Sequence, residues 1–319
     1  MNKNKKRIVI CGATGFIGKN LIEYYAKNKN YDVVGIYNIR PAFLLKNVSW
    51  KKINLLDPKA IHRLLKKDDI VIQAAATTSG SKDIINKPYI HVTDNAVMNS
   101  LILRSGFEKK ISKLIFFSCT VMYQSSNKKL KETDFDANSE IHKNYFGVGW
   151  TKIYIEKMCQ FYSRLGSTKY TVIRHSNIYG DHDKYDLKKS HVFGASITKV
   201  MNAKNEVVIW GKGEEKRDLL YIGDLVDFVN KAINYQKNKF ELVNVGLGKA
   251  IKIKDLVYLI VKKSRKKLLI KHDLSQPSIP TYLFLDISKA RKVFKWKPST
   301  TIENGILKSI NWWKKNIKK

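Results

Sequence analysis

Several features are scarce in this 319-residue sequence, and each scarcity narrows what it can be. Only three cysteines occur, Cys11, Cys119 and Cys159. Their spacing fits no metal-ligand pattern, so no metal is expected, and their small number indicates a reducing, cytoplasmic setting. No apolar run approaches the roughly 18 residues of a membrane span. The opening MNKNKKRIVICGATGFIG is basic, but its apolar stretch is short and breaks into glycines. It reads as a first strand and not as a signal peptide. Acidic residues are also few, 27 against 60 basic ones, for a formal net charge of +33. Such an excess suggests nucleic acid as a partner. The basic residues are mostly lysines spread along the whole chain, however, whereas a nucleic-acid groove gathers arginines and aromatics in one place. The charge reads as a lysine-rich surface that favours anionic ligands such as phosphates; neither nucleic acid nor membrane is expected as a partner.

What is present is enough for a substantial core: 44% of the residues are apolar. Strand-like and helix-like segments alternate through the first half. RIVICGA, YDVVGIYN, DIVIQAAA, KLIFFSC and YTVIRHSNIYG read as strands. GKNLIEYYAKN, AIHRLLKKD, AVMNSLILRSGF and TKIYIEKMCQFYSRLG read as helices, the last ended by Gly166. The alternation predicts an α/β fold, a doubly wound parallel sheet of Rossmann type. Residues 1–180 are expected to form the dinucleotide-binding core. Residues 181–319, where the pattern loosens, are expected to form mainly a smaller substrate-binding lobe interleaved with late core strands. There is no repeat and no low-complexity linker.

GATGFIG sets Gly12, Gly15 and Gly18 between the first strand and the first helix. Glycines belong there because the chain turns tightly and a pyrophosphate must approach backbone and helix N-terminus. The spacing is G-x-x-G-x-x-G. At the end of the second strand a carboxylate would mark NAD by bonding the adenosine ribose. Tyr37, Asn38 and Arg40 stand there instead. Arg40 suits a 2′-phosphate, so the reading leans towards NADP, with NAD as the alternative.

These motifs resemble the extended short-chain dehydrogenase/reductase family of nucleotide-sugar epimerases, dehydratases and reductases. The likeness extends to NLLD (54–57), Asn95 in TDNAVMNSL, the GWTK helix, RHSNIYG (174–180), RDLLYIGDL (217–225) and the tail DISKARKVFKWKPSTTIENGI. Within the family, QAAATTSG (73–80) and YGDHDKYDLKKSHVFGASITKV (179–200) are most similar to the GDP-fucose synthases, which are epimerase-reductases. The resemblance implies an NAD(P)-dependent enzyme acting on a nucleoside-diphosphate hexose. A nucleotide-sugar 4-epimerase or 4-dehydrogenase holding NAD tightly is the alternative within catalysis. It implies a cofactor site of Gly12, Thr14, Gly15, Phe16, Ile17, Gly18, Arg40, Asn54, Leu55, Ala74, Ala75, Ala76, Asn95 and Lys152. Asn177, Lys199 and Arg217 would face the substrate. It also implies a homodimer through the helix that carries Lys152, with Ile153, Ile155, Met158 and Phe161 as the apolar surface.

Two departures from the family stand out. Its catalytic helix reads Y-G-x-S-K, in which the lysine holds the nicotinamide ribose and lowers the tyrosine's pKa, and the tyrosine moves a proton. Here VGWTK keeps Gly149, Thr151 and Lys152 but has Val148 at the tyrosine position. Tyr145 is the obvious substitute. It lies about 10.5 Å along an ideal helix axis from Lys152, against about 6 Å for Val148. Gly147 and Gly149 are poor helix formers, so an unwound first turn would bring Tyr145 into the pocket. The second departure is at the Ser/Thr position. Four residues before Tyr123 stands Cys119, flanked by Ser118 and Thr120, and a one-residue shift would restore a hydroxyl from Ser118. Neither neighbour is followed by the Asp-Glu pair of the sugar 4,6-dehydratases, which argues against dehydration. By the likeness, Cys119 and His191 would move protons at sugar carbons, a task that suits a thiol and an imidazole. If the missing tyrosine ends turnover, the remaining reading is a relative that binds cofactor or nucleotide sugar without catalysis.

Overall fold

The computed structural model describes residues 5–77, 86–187, 190–276 and 282–318. Parts of three quoted stretches, residues 1–4, 78–80 and 188–189, lie outside the described residues. Seven strands form the central sheet: β1 (Lys6–Cys11), β2 (Tyr31–Tyr37), β3 (Val48–Lys52), β4 (Ile70–Gln73), β5 (Lys113–Phe117), β6 (Lys169–His175) and β10 (Phe240–Val245). They run in the order β10-β6-β5-β4-β1-β2-β3, and every pairing is parallel. The segments IVIQ and LIFF are buried along their whole length because helices cover both faces of the sheet, and only Gln73 among their residues is polar.

Helix α1 (Phe16–Ala26) buries Gly18, Leu21, Ile22, Tyr25 and Ala26, a stripe at helical spacing. Helix α2 (Pro58–Leu64) starts with proline at its first position. The Asp57 carboxylate caps it by accepting from the Lys59 and Ala60 amides. Helices α3 (Thr93–Glu108) and α4 (Phe146–Leu165) pack on each other beside the sheet. The chain order reverses between β1 and β4, and in such sheets ligands bind in the crevice at the C-terminal strand ends of that point.

The second lobe carries β7 (Asn177–Tyr179), α5 (Val192–Asn202), β8 (Glu206–Trp210) and β9 (Lys216–Tyr221), with α6 (Ile222–Tyr235) leading on to β10. It continues with β11 (Ala250–Lys252), α7 (Ile253–Ser264), β12 (Leu269–Asp273), β13 (Tyr282–Leu283), α8 (Ser288–Phe294) and α9 (Ile302–Asn316). β9 is flanked by β7, β11 and β13, while β8 pairs with β12. Helices α5, α7 and α9 pack together, and the Trp313 indole donates to Thr198 Oγ1 at 3.2 Å.

Three expectations change. YTVIRHSNIYG is two strands, because the Ser176 amide still bonds the Val245 carbonyl but Asn177 onward pairs with β9. Edge strand β3 joins the sheet although VSWKK, with two apolar residues and exposed lysines, carries no clear strand pattern. On α4, Ile153 and Ile155 are 7% and 1% exposed. They pack into this chain's own core and offer nothing to a second copy, whereas Phe161 faces outward. No helix among the described residues is long and apolar enough to cross a membrane.

Candidate active site

One cavity of about 550 Å³ runs along the C-terminal ends of β1, β4, β5 and β6 to the start of α5. Its floor is the glycine turn. Gly12 has φ +70°, and a Cβ there would lie 2.6 Å from Ala75 Cα, so only glycine lets the turn meet the segment after β4. A Cβ on Gly18 would collide with the Gly12 carbonyl, so this glycine is needed for close packing of helix on turn and does not line the cavity. Gly15 caps α1 without any side-chain hydrogen bond, and no acidic residue occupies the first helical turn. These amides and the helix dipole suit a pyrophosphate. A dinucleotide fits this cradle.

Thr14, Gly15, Phe16, Ile17, Arg40, Leu55, Ala74, Ala75 and Ala76 line the cavity with Gly12. Tyr37, Asn38 and Ile39 complete the end beyond β2, where no carboxylate among the described residues lines the wall. Asn54 and Asn95 act at one remove. The Asn54 side chain accepts from the Leu56 amide at 3.1 Å. Buried Asn95 accepts from the Thr77 amide and donates to the Thr77 and His91 carbonyls, holding the segment after β4 in place.

Helix α4 begins at Phe146, so Gly147 and Gly149 lie within it and the expected unwinding does not occur. The glycines serve packing instead: a Cβ on Gly147 would sit 2.9 Å from Val92 Cγ2, and one on Gly149 would sit 3.0 Å from Ile141 Cδ1. Tyr145 reaches the cavity all the same, because it precedes the helix at the end of a 3₁₀ turn, Lys143–Tyr145. Burial raises its phenol pKa against the opposing pull of Arg217, so the phenol keeps its proton. Lys152 Nζ donates to the Phe117 carbonyl at 2.9 Å and lies over the Phe116 ring. Burial lowers its pKa, while Cys119 and Glu156 act the other way. Val148 lines the cavity beside it.

Ser118 and Cys119 both line the cavity but differ in their partners. The Ser118 hydroxyl donates to Glu156 Oε1 at 2.5 Å, and Glu156 is paired with Arg174 at 2.7 Å, both almost fully buried. Ser118 thus lines the cavity, but its hydroxyl is engaged by Glu156. Cys119 is half-buried and lines the cavity, with its thiol pKa raised chiefly by burial.

From the second lobe come Asn177 and His191. His191 is the N-cap residue of α5, makes no side-chain cap bond and lines the cavity. The protein around it lowers its pKa, with Lys184 the second cause. Lys199 does not arrive. It stands about 12 Å further along the same helix by residue count. Its Nζ donates to the Val208 carbonyl at 3.2 Å and sits 4.7 Å from the Trp210 ring centroid. Arg217, on β9, is not part of the lining either, but its charge acts on Tyr145. Sequence reasoning missed His175, Asp183 and Lys184 in the wall. For His175 the signal was its place at the C-terminal end of a parallel strand.

Fold and cavity together define a Rossmann-type dinucleotide-binding protein with a second lobe over the cleft. A profile of the NAD dependent epimerase/dehydratase family matches residues 8–246, and the chain belongs to that family. It is similar to GDP-L-colitose synthase of Yersinia pseudotuberculosis, with 29% identity covering 96% of this chain and 97% of the relative. It is also similar to GDP-L-fucose synthase of Azorhizobium caulinodans, with 25% identity covering 98% and 97%. Among solved structures it resembles a mutant UDP-glucuronic acid 4-epimerase of Bacillus cereus in complex with UDP-4-deoxy-4-fluoro-glucuronic acid and NAD. The TM-score is 0.80 at 25% identity, covering 97% of this chain and 99% of that one.

Proposed function

We propose that this protein is an NAD(P)-dependent epimerase/reductase of a nucleoside-diphosphate hexose, acting on a sugar with a 4-keto or 4-hydroxy group. The observation that carries the reading is the single cavity: the glycine turn and Lys152 share it with Asn177 and His191 of the second lobe. The cradle for a dinucleotide and these second-lobe residues thus open on one space. A nicotinamide bound there supplies hydride exchange with a sugar carbon. Lys152 orients the nicotinamide ribose, Asn177 and Arg217 favour the substrate's diphosphate, and Tyr145, Cys119 and His191 handle protons around the sugar ring. Residues 1–180 hold the cofactor, with the later residues mainly serving the substrate. Arg40 supports NADP, while the Bacillus cereus relative, crystallised with NAD, supports NAD. A homodimer through α4 would rest on its outward residues Tyr154, Phe161 and Leu165.

Solvent-deuterium incorporation tests the reading. The protein is incubated in heavy water with NADPH or NADH and GDP-, UDP-, CDP- and dTDP-linked hexoses, both 4-keto and unmodified. Label in the product with cofactor oxidation supports an epimerase-reductase. Inversion without label or net oxidation supports a 4-epimerase. Val148 in the cavity wall favours a second reading, binding without turnover. No product from any sugar, despite cofactor binding, would establish that one.

A further inference from the structure

His175 has no part in the roles above. It ends β6 in register with Val245 of β10, and that strand end opens on the cavity. Its ring meets Phe117 edge-on, with centroids 6.2 Å apart. Phe117 is also the anchor of Lys152, through the 2.9 Å bond from Nζ to its carbonyl. The two side chains thus rest on one residue, and both line the cavity together with Val148.

The partner of the imidazole decides its chemistry. Nδ1 lies 2.7 Å from the Ser176 carbonyl oxygen. A carbonyl only accepts, so Nδ1 carries the hydrogen and the neutral ring keeps a bare lone pair on Nε2. Burial is the main cause that pushes the pKa down to about 4; the Ser176 bond opposes it, and Lys152 and His191 add to it. The ring is therefore neutral around pH 7. A neutral Nε2 beside an ammonium group is an acceptor for a hydroxyl and has nothing to donate to a ketone.

We propose that His175 is the proton acceptor at the carbon that exchanges hydride, standing in for the tyrosine that Val148 replaces, and that the substrate presents a hydroxyl there. In the forward step the C–H electron pair leaves as hydride to the nicotinamide, the O–H proton passes to Nε2, and the C=O bond forms. The reverse step returns hydride to the carbon and the same proton to the oxygen. The Lys152 ammonium stabilises the negative charge that develops on the oxygen. The inference rests on the nucleotide-sugar reading and narrows it to an enzyme that starts from the alcohol, a 4-epimerase or 4-dehydrogenase.

Two measurements decide it. Long-range proton–nitrogen correlation spectra of the unliganded protein, labelled with ¹⁵N-histidine and assigned with His175→Phe, are expected to show the Nδ1–H tautomer around neutral pH. An Nε2–H tautomer or an imidazolium overturns the proposal. Next, wild type, His175→Phe and His175→Ala are mixed with NAD or NADP and unmodified nucleotide hexoses. Wild type is expected to form reduced cofactor or inverted sugar. Both variants should bind cofactor normally and lose at least about 100-fold in rate. Added imidazole should restore part of the His175→Ala activity while leaving His175→Phe, whose ring fills the site, unchanged. Equal rates in wild type and His175→Phe overturn the proposal. A wild type active only on 4-keto sugars overturns it but leaves the proposed function standing. A wild type inert towards every sugar overturns both.

Discussion

The hydroxyl of Ser118 is bound to Glu156 at 2.5 Å, while the next residue, Cys119, lines the cavity. Both residues line the cavity at the end of β5, but only the Ser118 hydroxyl is bound to a buried carboxylate. Ser118 belongs to a buried network in which Arg174 also donates to the Tyr123 phenol and Tyr123 donates to Asn244. Ser118→Ala is therefore expected to keep turnover within about threefold and to lose about 1–3 kcal/mol of stability, because a buried carboxylate loses a donor. Cys119→Ala is expected to do the reverse, losing rate with little change in stability. Urea unfolding and steady-state kinetics on the two variants separate these outcomes.

Glu156→Ala should be far more damaging than either. It leaves the Arg174 guanidinium buried with its main partner gone, at a cost of about 3–5 kcal/mol. A urea midpoint close to that of wild type would show that the pair is dispensable.

Gly12→Ala combines a positive φ with a collision against the backbone at Ala75. The strain should cost about 1–2 kcal/mol, and the displaced turn should weaken cofactor binding at least tenfold. Calorimetric titration with NAD and NADP reads the affinity, and thermal unfolding reads the strain.

Arg40 bears on cofactor choice. If it pairs with a 2′-phosphate, Arg40→Ala should weaken NADP by about five- to tenfold and leave NAD unchanged, as suits one exposed charge-assisted contact. Equal affinity of the variant for NADP would remove the reason to prefer that cofactor.

Asp183 predicts a pH dependence of stability. Its carboxyl is buried, Oδ2 has no hydrogen-bond partner among the described residues, and burial raises the pKa to about 7. The folded state therefore binds a proton that the unfolded state has lost between about pH 4 and pH 7, so this group's contribution falls as pH rises through that window. Asp183→Asn removes the penalty. The variant should match wild type near pH 4 and exceed it by about 2–4 kcal/mol at pH 8. Parallel urea curves at both pH values check this, and a constant difference between the proteins would refute it.

Much was legible from local pattern alone. The glycine turn, the alternation of strand and helix, the helix carrying Lys152 and the missing tyrosine at Val148 all follow from short-range spacing. Chain turns, sheet pleat and helical period act over a few residues, so they can be read directly. The absence of a carboxylate after β2 was equally plain.

The rest depended on partners distant in sequence. That the Ser118 hydroxyl is taken up by a buried carboxylate is decided by Glu156, 38 residues away. Tyr145 reaches the cavity from ahead of an intact helix, and the glycines meant to unwind that helix fit it against Val92 and Ile141. Lys199 is drawn to Val208 and Trp210, and Ile153 and Ile155 are taken by the core. His175 gains its meaning only where β6 ends beside Phe117 and Lys152. Sequence by itself determined the fold class and the cofactor turn, because those are set by backbone geometry. Only tertiary structure decided which side chains share the cavity, because side-chain direction at a strand end is set by whatever packs against it.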